Sequence, residues 1–333
     1  MKPLRTEISI EPHRGLLGYD TPAVMLGSCF TDEIGSRMAD LLMPVTVNPF
    51  GPLFNPASIA DALTDIIECR TLSETDFFRR DDRWVTFGRH SIISGANAAE
   101  AARVNNLAVS SLHSSLPAVK CWIFTFGSAI GFRHRRNGQI VANCHKQPAE
   151  LFESVEFKVD EIVSRWTSIL QLLKKVTPEA NVILTVSPVR HTGYGLTRDR
   201  LSKSRLIVAC HELCASSPLP AFYFPAYEIL TDDLRDYRFY GSDLVHPSDM
   251  AVDYIFELFA SAVFTPQTSL AGKAVGKNIN RLLHRYSSVD QTLAAILEVK
   301  KKLMAVGLSS FNDPDYFNAA FQHFLTRHGL PSI

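Results

Sequence analysis

The chain has 333 residues, enough for one large or two ordinary domains. Thirty-four Lys and Arg balance 34 Asp and Glu, and 46% of residues are hydrophobic. This excludes disorder, which needs sparse apolar residues and unbalanced charge. It also excludes broad nucleic-acid binding, which draws on a surplus of cations.

Glu7 and Glu11 interrupt the start and no apolar h-region is present, so no signal peptide is expected. No run approaches the roughly 18 apolar residues of a membrane span, so no membrane partner is expected either. Cys29, Cys69, Cys121, Cys144, Cys210 and Cys214 form no CxxC pair and read as reduced thiols of a cytoplasmic protein. Cys210 and Cys214 lie four apart on a predicted helix; they are weighed as a metal pair and set aside. No metal or cofactor is called for.

In chain order, Ala23–Leu26 is a buried strand closed by Gly27-Ser28. Ile34, Met38 and Leu41/Leu42 mark the apolar face of the helix that follows. Pro44–Val47 is the next strand, ended by Asn48-Pro49-Phe50-Gly51-Pro52, and Ser58–Cys69 is helical. Phe77–Phe87, with Asp81-Asp82 at its middle, predicts a hairpin. A helix over Ala96–Leu112 leads into a central strand, Val119–Phe126. Then come a helix at Val159–Val176, a strand at Asn181–Val186, a helix at Lys203–Cys214, a strand at Ala221–Phe224 and a helix at Ser248–Ala262. Alternation of this kind predicts a five-stranded parallel sheet with right-handed crossovers. Beyond Pro266 two helices are predicted, near Asp290–Val306 and Asp313–Arg327, with Gly307 and Gly329 after them. Residues 266–333 thus read as a helical appendage to a 1–265 domain, packed on the core or on a second copy of the chain.

Ligands of open α/β sheets bind outside the carboxyl ends of the strands. Ser28 stands there, at a helix N-terminus whose free N–H groups favour developing negative charge, or else it only caps that helix. In Gly241-Ser242-Asp243-Leu244-Val245-His246-Pro247 the acid and the imidazole are three apart. At that spacing Asp243 reaches Nδ1 of His246 and leaves Nε2 as a general base. The order Ser28, Asp243, His246 makes a hydrolase triad.

The words Gly27-Ser28-Cys29-Phe30, Asn48-Pro49-Phe50-Gly51, Thr125-Phe126-Gly127, Asn143-Cys144-His145-Lys146, Ser187-Pro188-Val189-Arg190-His191 and Asp243…His246 occur in sequence. Together they resemble the GSCFA-domain family, itself similar to the SGNH/GDSL hydrolases. The resemblance implies a flavodoxin-like three-layer α/β/α sandwich and a serine nucleophile, Ser28, with Asp243 and His246. It also implies an oxyanion hole of the Ser28 and Gly51 N–H groups and an asparagine amide. Ser128-Ala129-Ile130 lacks that asparagine, so Asn143 is the substitute, unless it only braces its loop.

Asn48, His145, Ser187, Arg190 and His191 form the expected substrate-binding set. Arg190 suits a carboxylate or phosphate, or else a salt-bridged loop. Cys29 is read as packing, pointing away if Ser28 faces the cleft, with the role of nucleophile as its lesser alternative; His90 is read as a surface histidine, or else it reaches the cleft from above. Tyr237, Phe239 and Tyr240 are core aromatics or line an acyl or sugar pocket. The expected activity is hydrolysis of a small ester, without nucleic acid, by acylation and deacylation of Ser28. An acyltransferase on the same triad and a non-catalytic carbohydrate- or anion-binding module are its rivals.

Charge is uneven along the chain. In Gly131–Glu150, Arg133, Arg135, Arg136 and Lys146 face one acid; in Ser187–Leu206, Arg190, Arg198, Arg200, Lys203 and Arg205 face one more. If both segments border the cleft, an anionic substrate is favoured over a neutral lipid.

Overall fold

The computed structural model describes residues 6–283 and 289–331. The chain opens with β1 (Ala23–Gly27), α1 (Cys29–Asp40), β2 (Val45–Val47), α2 (Pro56–Ile67) and the hairpin β3 (Phe78–Arg80) and β4 (Arg83–Val85). It continues through α3 (Ala98–Ser115), β5 (Cys121–Phe126), β6 (Ile130–His134), β7 (Ile140–Val141), β8 (Phe152–Glu156), α4 (Val159–Val176) and β9 (Asn181–Val186). After α5 (Leu196–Ser216), β10 (Ala221–Phe224) and the short α6 (Ala226–Glu228) come four longer helices. These are α7 (Asp249–Val263), α8 (Pro266–Ile279), α9 (Val289–Met304) and α10 (Pro314–Arg327).

The main sheet runs β10-β9-β5-β1-β2 and all its pairs are parallel. That is the five-stranded parallel sheet expected, in flavodoxin-like order. Alternation along the strands divides two cores. Met25, Ile123 and Ile183 face α1 and α7 on one side. Val24, Leu26, Trp122, Phe124 and Val186 face α2, α4 and α5 on the other. The result is an α/β/α sandwich. The chain moves outward from β1 in both directions, so a crevice opens beyond the carboxyl ends of β1 and β5.

Two parts of the fold depart from the sequence reading. A small antiparallel sheet, β7-β6-β8, covers the crevice side of the molecule. Helix α8 precedes the two expected tail helices, capped by Thr265, whose Oγ1 accepts the Thr268 N–H at 3.0 Å, with Pro266 at its first position. Val275, Ile279, Ile296, Leu303, Phe317, Phe321 and Phe324 join the same core as Met25, Phe30 and Met38. The tail therefore packs on this chain's own sheet layer. Among the described residues no helix is long and apolar enough to cross a membrane.

Candidate active site

Three segments meet at the crevice: the β1–α1 junction, the loop after β7, and the loop that carries Asp243 and His246. At the junction, Ser28 follows the last residue of β1 and is still hydrogen-bonded to β5. Its N–H donates to Thr125 O at 3.1 Å, and its side chain packs against Gly127, where an added Cβ would lie 3.2 Å from Ser28 Cβ. Ser28 is 1% exposed, its Oγ is buried without a partner, and it does not cap α1.

The next residue begins the helix, and helical Cα–Cβ bonds lean toward the N-terminus. Cys29 accordingly lines a cavity of about 570 Å³ together with His246, His191, Asn143, His90 and Tyr194. The cavity holds Cys29 and not Ser28. Burial and the neighbouring Asp32 raise the Cys29 thiol pKa; the N–H groups of Cys29 and Phe30 and the Lys203 ammonium pull it down without cancelling the rise.

The expected acid–imidazole pair is formed. His246 Nδ1–H donates to Asp243 Oδ2 at 2.6 Å, while Asp243 Oδ1 accepts the N–H groups of Val245 and His246 at 2.9 and 3.0 Å. Leu244, at φ 57°, supplies the left-handed residue that turns the acid back toward the imidazole. The His246 hydrogen bond, followed by those two N–H groups, holds the Asp243 carboxyl at about 2, so it is ionised at neutral pH. The imidazole stays half exposed at the cavity rim.

Behind Cys29 lies a group that the sequence reading passed over. Lys203 is 0% exposed and donates from Nζ to Gly127 O at 2.6 Å and Ser187 O at 2.8 Å. Its signal was its register: it stands three residues before Leu206 and seven before Cys210 on the buried face of α5. Burial lowers its pKa to about 8, against the opposing pull of Asp199 and Cys29. Burial, and then Lys203, push the His191 imidazole down to about 3 against a smaller pull from the Gly127 backbone, so His191 is neutral and buried.

The remaining expected residues divide. Asn143, Arg190 and His191 line the cavity. Asn143 Oδ1 accepts the His145 N–H at 2.8 Å. His90 lines the cavity rather than the surface.

Asn48 is corrected from substrate binder to latch. Its Oδ1 accepts the Gly27 N–H at 2.9 Å and its Nδ2 donates to Asp32 Oδ1 at 2.7 Å. His145 is buried, with Nε2 at 2.8 Å from Thr86 O and its ring among Phe78 and Phe87, away from the cavity. Ser187 is fully buried beneath Lys203. The Gly51 N–H is committed to Asn48 O at 2.7 Å, as the Ser28 N–H is to Thr125, so neither is available to an oxyanion. Gly51 instead permits a close approach: it sits at φ +72°, and a Cβ there would lie 2.5 Å from His90 Cβ.

The model described as GSCFA family matches residues 22–259, from the residue before β1 into α7. The chain belongs to the GSCFA family. No curated protein and no solved structure matches it. Every group of this GSCFA cavity lies inside the matched span; α8, α9 and α10 lie beyond it.

Proposed function

We propose that this GSCFA protein hydrolyses a small carboxylic ester, on a site akin to that of the SGNH/GDSL hydrolases, with Cys29 rather than Ser28 as nucleophile. The observation that carries this reading is that Cys29 and the Asp243-oriented His246 line one cavity while the Ser28 hydroxyl is shut away from it.

Because its pKa is raised, Cys29 enters the reaction as a thiol. His246 Nε2 takes the thiol proton as sulfur bonds to the ester carbonyl carbon. Asp243 stabilises the imidazolium without taking the proton. The carbonyl oxygen becomes an oxyanion near the Cys29 and Phe30 N–H groups, which face the sulfur at the start of α1, and the Asn143 amide. Collapse breaks the C–O bond, and the leaving alkoxide receives the proton from His246. The thioester then reacts with a water deprotonated by His246, which releases the acid and restores the thiol. A rim histidine that is half exposed admits an alcohol as readily as water, so acyl transfer to an alcohol on the same groups is the second reading. Product analysis with added polyol separates the two.

The test is the site of acylation. Brief treatment with p-nitrophenyl acetate should place an acetyl group on the Cys29 peptide, in wild type and in Ser28→Ala. Cys29→Ala should lose it together with about 10³-fold or more of the turnover. Acetylation of Ser28, or turnover preserved in Cys29→Ala, overturns the assignment. Absence of any acyl-enzyme and any turnover in wild type favours a non-catalytic binding module.

A further inference from the structure

The basic segments of the sequence do not contribute equally to the crevice. Arg133 and Arg135 share Glu153, and Arg198 and Arg205 share Glu156, so four of them are paired on β8 and its two carboxylates offset half of their charge. Arg190 and Arg200 make no ion pair among the described residues. Both face a second cavity of about 380 Å³, also lined by Thr197, Tyr227, Thr231 and Tyr240. Arg190 lies over the Tyr240 ring at 3.8 Å, and Arg200 lies 5.4 Å from the Tyr227 ring centroid.

Three further observations give this cavity its sign. The first turn of the 21-residue helix α5 opens into it at Leu196 and Thr197, behind a Gly195 that offers no side-chain cap. Tyr227 is 6% exposed and lies in the lining, beside Arg200. The one acid in the lining, Asp199, is 4% exposed; it accepts the His191 N–H at 3.2 Å and stands beside the buried Lys203 ammonium, which balances its charge. Arg190 also lines the Cys29 cavity, so the two spaces share a wall.

We infer that this second cavity is a phosphate subsite, and that the ester cleaved at Cys29 carries a phosphate group on the side of the molecule that passes Arg190. The Arg200 fork, the N–H groups of Arg190 not engaged by Leu244 O and Tyr240, the Tyr227 phenol and a helix N-terminus suit the several oxygens of a phosphate better than the two of a carboxylate. The inference rests on the Cys29 reading for the substrate but not for the site itself.

Calorimetric titration with inorganic phosphate at fixed ionic strength tests the site without turnover. Wild type and Cys29→Ala should bind phosphate equally and more tightly than acetate. Arg200→Ala should weaken phosphate binding roughly tenfold or more. Arg198→Ala, which removes a neighbouring arginine already paired with Glu156, should leave it unchanged; thermal melts verify that each variant is folded. No binding, equal weakening by Arg198→Ala, or tighter binding of acetate overturns the subsite and leaves the Cys29 chemistry standing. Phosphate held through Arg200 in a protein that forms no acyl-enzyme keeps the subsite and overturns the hydrolase reading instead.

Discussion

His191 shows what burial does to a single side chain beside a charge. Its pKa of about 3, against an ordinary 6.5, means that the unfolded chain takes up a proton which the folded chain refuses. Stability from this group is therefore complete above pH 6.5 and is lost as pH falls toward 3. His191→Phe keeps the ring contacts with Phe54 and Tyr194 and removes the titration. Between pH 7 and pH 4 the urea-unfolding free energy of the variant should fall by roughly 3 kcal/mol less than that of wild type. Equal losses would show that His191 is not protonated on unfolding.

The same scale explains why Cys29, and not Ser28, lines the cavity. Sequence located the strand–helix junction, the DxxH pair and three of the cavity's polar groups. It did not reveal where the strand stops directing side chains and the helix starts. That phase is set by contacts between segments far apart in sequence, among them the Ser28 N–H bond to Thr125 O and the Gly27 N–H bond to Asn48 Oδ1.

At the scale of elements, the β1–α1 elbow is held by Asn48, which bridges Gly27 and Asp32 from the loop after β2. Asn48→Ala strips an acceptor from a buried N–H and a donor from a half-buried carboxylate. It should cost about 2 kcal/mol, seen as a lower urea midpoint with an unchanged slope. A midpoint equal to wild type would mean that the latch is dispensable.

The elements that sequence missed have weak local signatures. Ile130-Gly131-Phe132-Arg133-His134 carries little alternation, and Ile140–Val141 is two residues long. Both acquire their conformation from pairing with each other and with β8. Helix α8 did carry a signal, Thr265-Pro266, but Gly272 and Gly276 dilute its apolar face.

For the whole molecule, the tail completes the layer that α1 and α7 begin. Phe321 is 1% exposed, and the three tryptophans, Trp84, Trp122 and Trp166, all lie outside the tail. Phe321→Ala should destabilise the protein by about 3–5 kcal/mol. If tail and sandwich unfold together, that loss appears in the tryptophan fluorescence transition. A fluorescence midpoint that stays at the wild-type value would make the tail a separate unit. The change of pattern near residue 265, from alternating strand and helix to helix alone, was legible. That the tail shares one core with the sandwich was not, because an apolar helical face looks the same whichever surface it meets.

The order of the main sheet has a consequence for how copies of the chain meet. Its two borders are β2 and β10, three and four residues long. Pro44 precedes the first, and Pro220 and Pro225 bracket the second. Proline lacks the amide hydrogen that a neighbouring strand would need, and borders this short offer little template for one. A sheet whose inner strands are almost wholly apolar thus ends, on both sides, in segments ill suited to recruiting another chain into an aggregate.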